Sequence, residues 1–304
     1  MQASGQVITM QASDLNAPPA RPSCYSSILK SKCSNYMVCN QSRLGSALRR
    51  RLLLVLAASA TLSCFNAHAD NAPLIAAAAD LKFALDELAR TFQANTGKSV
   101  KVVYGSSGNF RRQITEGAPF EVFFSADEGF VQALVKDKLT LDEGKLYAIG
   151  RIVVIVPKDS PLKPNGDLSD LTSAITANRI KKFAIANPEH APYGRAAKEA
   201  LEKAGLWSRL QGKLVLGENI AQAAQFATTG STDGGIIAYS LALAPAVSQH
   251  SRYALIPDSW HSPLRQKMVL LSKAGNTGKD FYHFVQTPPA RAVFKKYGFA
   301  LPGE

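Results

Sequence analysis

Between the β-type run 100–104 and the helix-like segment 109–116 stands Gly105-Ser106-Ser107-Gly108. A strand that enters a Gly/Ser turn and leaves as a helix aims unpaired backbone N–H groups and small hydroxyls at one point. That is enough to hold an anion without any cationic side chain. The layout recurs at Ala78-Ala79-Asp80, Ala191-Pro192-Tyr193-Gly194 and Gly217-Glu218-Asn219-Ile220, each joining the end of a β-type run to a helix start.

Around these turns, short β-type runs alternate with amphipathic helical patterns. Residues 73–79 read as a buried strand. From Asp80 the apolar positions Leu81, Ala84, Leu85, Leu88, Ala89 and Phe92 keep helical spacing until Gly97 stops them. Strands at 100–104 and 120–125 with helices at 110–116 and 127–136 complete a βαβαβ series, which predicts a parallel sheet covered by helices on both faces. The apolar run 149–157 is longer than one small sheet requires. Three further β-then-α units follow it, with strands at 183–186, 213–216 and 235–239 and helices at 192–204, 219–227 and just after Tyr239. A strand at 267–272 and helices at 280–286 and 290–297 close the chain. The expected fold class is α/β, two doubly wound lobes joined by a two-segment hinge. Residues 74–152 plus 246–304 form lobe 1 and 153–245 form lobe 2, with crossings near 150–154 and 239–246.

Residues 1–69 stand apart from this pattern. Residues 49–69 combine three arginines, an apolar core too short to span a bilayer and Ala67-His68-Ala69 before Asp70, the signature of a secretory signal cleaved near Ala69/Asp70. Residues 1–36 read as an over-extended start, with Met37 as the expected initiator. Cys24, Cys33, Cys39 and Cys64 all precede Asp70, so the mature chain is expected to contain neither a disulfide nor a reactive thiol. Thr61 stands three residues before Cys64, where a lipidation motif wants an aliphatic residue. The formal charge of +12 is also partly a property of the leader, which holds seven Lys and Arg against Asp14 alone and leaves +6 for the rest. Those charges interleave, as in Lys136-Asp137-Lys138, and form no stripe for nucleic acid.

Enzyme signals are weak. The Gly/Ser turn is not a G-x-S-x-G elbow, no phosphate-loop or dinucleotide pattern occurs, and His190, His250, His261 and His283 lack the convergent spacing of metal ligands. Trp207 and Trp260 read as packing anchors. In a doubly wound sheet, ligands bind beyond the carboxyl ends of strands. Two pairs of helix starts facing across a cleft could thus surround a small anion, although many helix starts cap themselves and bind nothing.

Five segments carry a resemblance: Ala76-Ala77-Ala78-Ala79-Asp80-Leu81, Gly105 to Phe110, Gln113 to Phe120, Phe123 to Glu128 and Ala186 to Gly194. With Glu218-Asn219-Ile220 and the terminal Phe294 to Phe299, they make the chain similar, from about Leu74 onward, to the periplasmic molybdate-binding proteins of ABC transporters, which have the type II periplasmic-binding-protein fold. The resemblance implies a non-enzymatic, cofactor-free, monomeric periplasmic protein that binds molybdate or tungstate between its lobes and delivers it to a membrane permease. Sulfate or phosphate binding, or an exported hydrolase using Ser107, are the rival readings. Carried over by position, Ser107 gives its hydroxyl and N–H, Ala79 and Asp80 give donors from lobe 1, and Tyr193 and Ile220 give N–H groups from lobe 2. Some relatives supply a tyrosine hydroxyl where this chain has Ala238, with Tyr239 one residue on. Asp80 departs from the serine or asparagine of some relatives; its side chain is expected to cap its own helix and to offer the ligand only backbone N–H.

Overall fold

Residues 72–304 are described by the structure, a computed structural model; the leader, its cysteines and the cleavage site lie outside the described residues. Two five-stranded sheets organise the chain. The first contains β1 (Leu74–Ala78), β2 (Lys101–Gly105), β3 (Phe120–Ser125), β4 (Lys145–Gly150) and β10 (Leu264–Leu270), in the order β2-β1-β3-β10-β4. The second contains β5 (Ile152–Pro157), β6 (Phe183–Ala186), β7 (Leu214–Gly217), β8 (Gly235–Ala238) and β9 (Ser251–Leu255), in the order β7-β6-β8-β5-β9.

Both sheets follow one plan. In each, the first strand of a βαβαβ series lies between the second and third, all parallel, and a strand from elsewhere in the chain pairs antiparallel with the third. The purely parallel sheets expected from the alternation are therefore mixed. β10 enters the first sheet antiparallel to β3 and β4, and β5 enters the second antiparallel to β8 and β9. These antiparallel strands are the ones reached directly from the other lobe, and no helical crossover is needed to reverse their direction.

The apolar run 149–157 is two strands. β4 ends at Gly150 in the first sheet and β5 begins at Ile152 in the second, so the chain changes lobe at Arg151. The second crossing lies later than the sequence suggested. β9 pairs with β5, which keeps residues through Leu255 in the second lobe and moves the return to 256–263 in place of 239–246. Alternation in β9 is weak, since Ser251, Arg252 and Tyr253 do not form an apolar run, and the strand is held by its backbone ladder to β5.

Helices cover the sheets where the apolar spacing dictates. α1 (Lys82–Thr96) buries Ala84, Leu85, Leu88 and Phe92, and Gly97 ends it at φ 71°, where glycine carries no steric penalty. α2 (Ser107–Thr115), α3 (Glu128–Lys136), α4 (Ser169–Thr176), α5 (Pro192–Lys203), α6 (Trp207–Leu210), α7 (Ile220–Thr228), α8 (Tyr239–Ala242), α9 (Pro245–Ser248), α10 (Asn276–Phe284) and α11 (Pro288–Lys296) follow. Trp207 and Trp260 pack against the second-lobe core, as isolated tryptophans usually do. Among the described residues, no helix is long and apolar enough to cross a membrane.

Gly235 opens β8 where a Cβ would stand 2.5 Å from the Ala184 carbonyl oxygen and 2.9 Å from the Ala227 Cβ. Gly235→Ala is expected to cost roughly 1–3 kcal/mol through overpacking against backbone. Urea unfolding of the mature chain measures this, and an unchanged midpoint would contradict such tight packing.

Candidate functional site

The carboxyl ends of β1 and β2 in the first lobe and of β6 and β7 in the second lead into four helix starts. In the first lobe these are the 3₁₀ turn Ala79–Leu81 and α2; in the second they are α5 and α7. They surround a narrow cavity of about 10 Å³ lined by Ala78, Ala79, Asp80, Gly105, Ser106, Ser107, Ala126, Ala191, Pro192, Tyr193 and Ile220. That is about the room that one water molecule needs, far less than a drug-sized site. All five residues assigned from the sequence, Ala79, Asp80, Ser107, Tyr193 and Ile220, border this one space.

The starts differ in how their N–H groups are used. Ala78 precedes the 3₁₀ turn without a capping side chain, and Ala191 precedes α5 without one, followed by Pro192 at N1. Both first turns thus lack internal side-chain acceptors. Asn219 caps α7 by accepting from the N–H groups of Ala221 and Gln222, which leaves the Ile220 N–H outside the cap. Ser106 caps α2 by accepting from Asn109 N. Ser107, fully buried, accepts from the Ala126 N–H at 2.9 Å, so its hydroxyl proton is free for another partner. No lysine or arginine lines the cavity.

Asp80 does not behave as expected from the sequence. Its side chain caps no helix; it accepts from Tyr193 Oη at 2.9 Å and from Gln266 Nε2 at 2.6 Å, both on Oδ2. The first turn is 3₁₀ and begins at Ala79, two residues too early for Asp80 to occupy the N-cap position, which falls on Ala78. Gln266 Nε2 also reaches Tyr193 Oη at 2.9 Å, and Gln266 Oε1 accepts from Tyr147 Oη at 2.7 Å. Since Tyr193 belongs to the second lobe and the other three to the first, this buried network joins the halves. Ser240 on α8 adds a second link by donating to the Asp80 carbonyl at 2.8 Å. Burial raises the Asp80 carboxyl to about 6, against the opposing hydrogen bonds from Gln266 and Tyr193. The Tyr147 and Tyr193 phenols are pushed well above their ordinary value, chiefly by burial.

Further contacts span the lobes at the rim. Gly108 N donates to the His190 carbonyl at 3.0 Å, and a Cβ at Gly108 would meet that oxygen at 2.6 Å. His190 Nδ1 lies 2.9 Å from Ser106 Oγ and its Nε2 lies 3.0 Å from Glu218. Arg195 pairs with Asp127 across the same mouth. Tyr239 stands elsewhere, under the Arg151 guanidinium and against Tyr253, and does not border the cavity. The tyrosine that borders the cavity is Tyr193.

Sequence reasoning missed Gln266, Tyr147 and Ala126. Gln266 left a trace, because Leu264, Gln266, Met268 and Leu270 are all buried along β10 and one of them is polar. Placing the strand at 267–272 put Gln266 outside it. Tyr147 on β4 has no such signal.

A carboxyl raised in the folded state binds its proton more tightly there than in the unfolded chain. Its stabilising contribution is complete below about pH 4 and is lost as pH rises through about 6. Without added anion, the stability difference between wild type and Asp80→Asn should therefore shift against wild type by roughly 3 kcal/mol from pH 4 to pH 8. Paired denaturant titrations measure this, and a flat difference would mean that the carboxyl titrates normally.

The comparisons with known proteins agree with this geometry. The family model described as bacterial extracellular solute-binding protein matches residues 73–300. The molybdate-binding protein ModA of Rhodobacter capsulatus is 33% identical over 229 residues, covering 74% of this chain and 87% of that protein. The ModA of Azotobacter vinelandii is 34% identical over 234 residues, covering 75% and 89%. The solved structure of the Azotobacter vinelandii periplasmic molybdate-binding protein superposes with a TM-score of 0.68 at 28% identity, over 76% of this chain and 99% of that one. A sulfate-binding protein of Mycobacterium tuberculosis, at 15% identity and a TM-score of 0.63, shares the fold. With a type II two-lobed architecture, four helix starts around one interlobe cavity and relatives of this similarity along nearly their whole length, the chain belongs to the bacterial extracellular solute-binding protein family and, within it, to the ModA molybdate-binding proteins.

Proposed function

We propose that this protein captures molybdate, and also tungstate, in the interlobe cavity and delivers it to the permease of an ABC transporter. The carrying observation is a narrow space that two lobes border with helix starts and the Ser107 hydroxyl and with no cationic side chain. Ala79, Asp80, Tyr193 and Ile220 would contribute N–H groups, and Ser107 its N–H and hydroxyl. A dianion so placed exchanges water for fixed dipoles, each charge-assisted bond contributing about 1.5–3 kcal/mol. The ModA relatives support the choice of anion.

The crossings at Arg151 and 256–263 would act as the hinge, with lobes 72–150 plus 264–304 and 152–255 closing on the anion. An occupant touching both halves favours the closed state by its differential affinity, and the closed shape is the form a permease would recognise. The protein would act outside the cytoplasm, in the periplasm, as a monomer and without a cofactor, after cleavage before Asp70. A serine hydrolase fits the contacts less well: Ser107 Oγ meets the Ala126 N–H, and the nearby His190 is directed at Ser106.

Selectivity over sulfate would rest on size, since a cage set for the larger anion leaves donors unfilled around a smaller one. In a thermal-shift panel, molybdate and tungstate are expected to raise the melting temperature with concentration, and sulfate and phosphate much less. Ser107→Ala should weaken molybdate binding about tenfold or more by calorimetry, corresponding to the loss of one such bond. An unchanged affinity would remove Ser107 from the site.

A further inference from the structure

A cage of N–H and O–H donors suits a fully deprotonated anion. An ionised carboxylate inside it does not, because it offers acceptors only. Asp80 borders the cavity and is 1% exposed, and its two oxygens are in different situations. Tyr147 donates to Gln266 Oε1, which fixes the amide so that Nε2 faces Asp80 Oδ2 and Tyr193 Oη. Tyr193 Oη accepts from that amide and spends its own proton on Oδ2. Oδ2 therefore has two donors, whereas Oδ1 is buried without a hydrogen-bond partner.

The surroundings supply no countercharge. Tyr193 from α5 and Tyr147 from β4 are the ionisable groups that act on the carboxylate, and both stay neutral at ordinary pH. Gln266 from β10 and Ser240 from α8 are uncharged, and α7 contains no ionisable residue. On the other neighbouring elements, Lys82 of α1 and Tyr104 of β2 are both engaged with Asp86, and Tyr239 of α8 lies against Arg151 and Tyr253.

We propose that the cavity takes its tetrahedral oxyanion together with one proton from solvent, held between Asp80 Oδ1 and an anion oxygen. With Oδ2 already saturated by donors, Oδ1 is the oxygen that can carry this proton, and the ligand is the partner it lacks. Two negative charges would otherwise meet in a buried space without a cation. The acceptor also removes one barrier to anions that arrive protonated, leaving size to exclude them. This inference rests on the molybdate reading above.

The test is isothermal calorimetry of the mature chain with dilute sodium molybdate, at pH 7.5 in Tris and in PIPES and then across pH 5.5–8.5. About one proton should be taken up per anion at pH 7.5, read from the difference in heat between buffers. Affinity should fall about tenfold per pH unit above pH 6 and level off below it. Asp80→Asn should abolish both the proton uptake and the slope. Buffer-independent heats with a flat affinity would overturn the proton proposal and leave the molybdate reading standing; absence of binding at every pH would overturn both. Parallel slopes in wild type and Asp80→Asn would assign the proton elsewhere and also overturn it. Should Asp80→Asn fail to fold, the wild-type proton count decides alone.

Discussion

Taking a small anion out of water costs more than any single contact in a protein returns, so the exchange works only where several dipoles are already fixed in place. The fold meets this demand with secondary structure. Each parallel strand delivers its chain to the same edge of a sheet, and each following helix begins there with N–H groups that have no partner inside the helix. Placing β1 between β2 and β3, and β6 between β7 and β8, separates neighbouring turns enough for a space to remain between them. Two such edges facing one another make a site whose donors need no long flexible side chain.

The connections between the lobes follow from the same sheets. Because β5 and β10 enter antiparallel, the chain passes from one sheet to the other within a single residue at Arg151 and returns over the short segment 256–263. Gly150 stands at the first passage, and a Cβ there would collide with Tyr193 Oη and crowd Gln266 Nε2. The buried network of Asp80, Tyr193, Gln266 and Tyr147 thus sits directly beside the covalent passage between the lobes. Small residues make this closeness possible, and Ala78, Ala79 and Ala126 of the first lobe pack into the core of the second.

Much of this was legible in the chain, for identifiable reasons. The βαβαβ units were visible because their strands are short apolar runs and their helices keep strict spacing, and the four turns were visible because glycine, serine and proline mark them. The five assigned residues fall around one cavity for the same reason, as each is fixed by the end of a strand and not by a side-chain conformation. What escaped notice depends on pairing at long range. β9 lacks an apolar pattern and exists through its ladder to β5, the antiparallel strands cannot be told from parallel ones by periodicity, and Tyr193 and Gln266, the partners of Asp80, lie 113 and 186 residues away in sequence. Asp80 itself was misjudged because local rules favour an acid at a helix start, whereas here tertiary partners claim it first.

Tyr193 does two things from one helix turn: it borders the cavity, and its hydroxyl grasps the carboxyl group of the opposite lobe. Under the proposed reading, grip on the cargo and fastening of the two halves are mechanically inseparable at this residue. A lineage drifting toward a different cargo could not retune one without disturbing the other, which would confine such drift to positions like Ile220, whose side chain fastens nothing across the cleft.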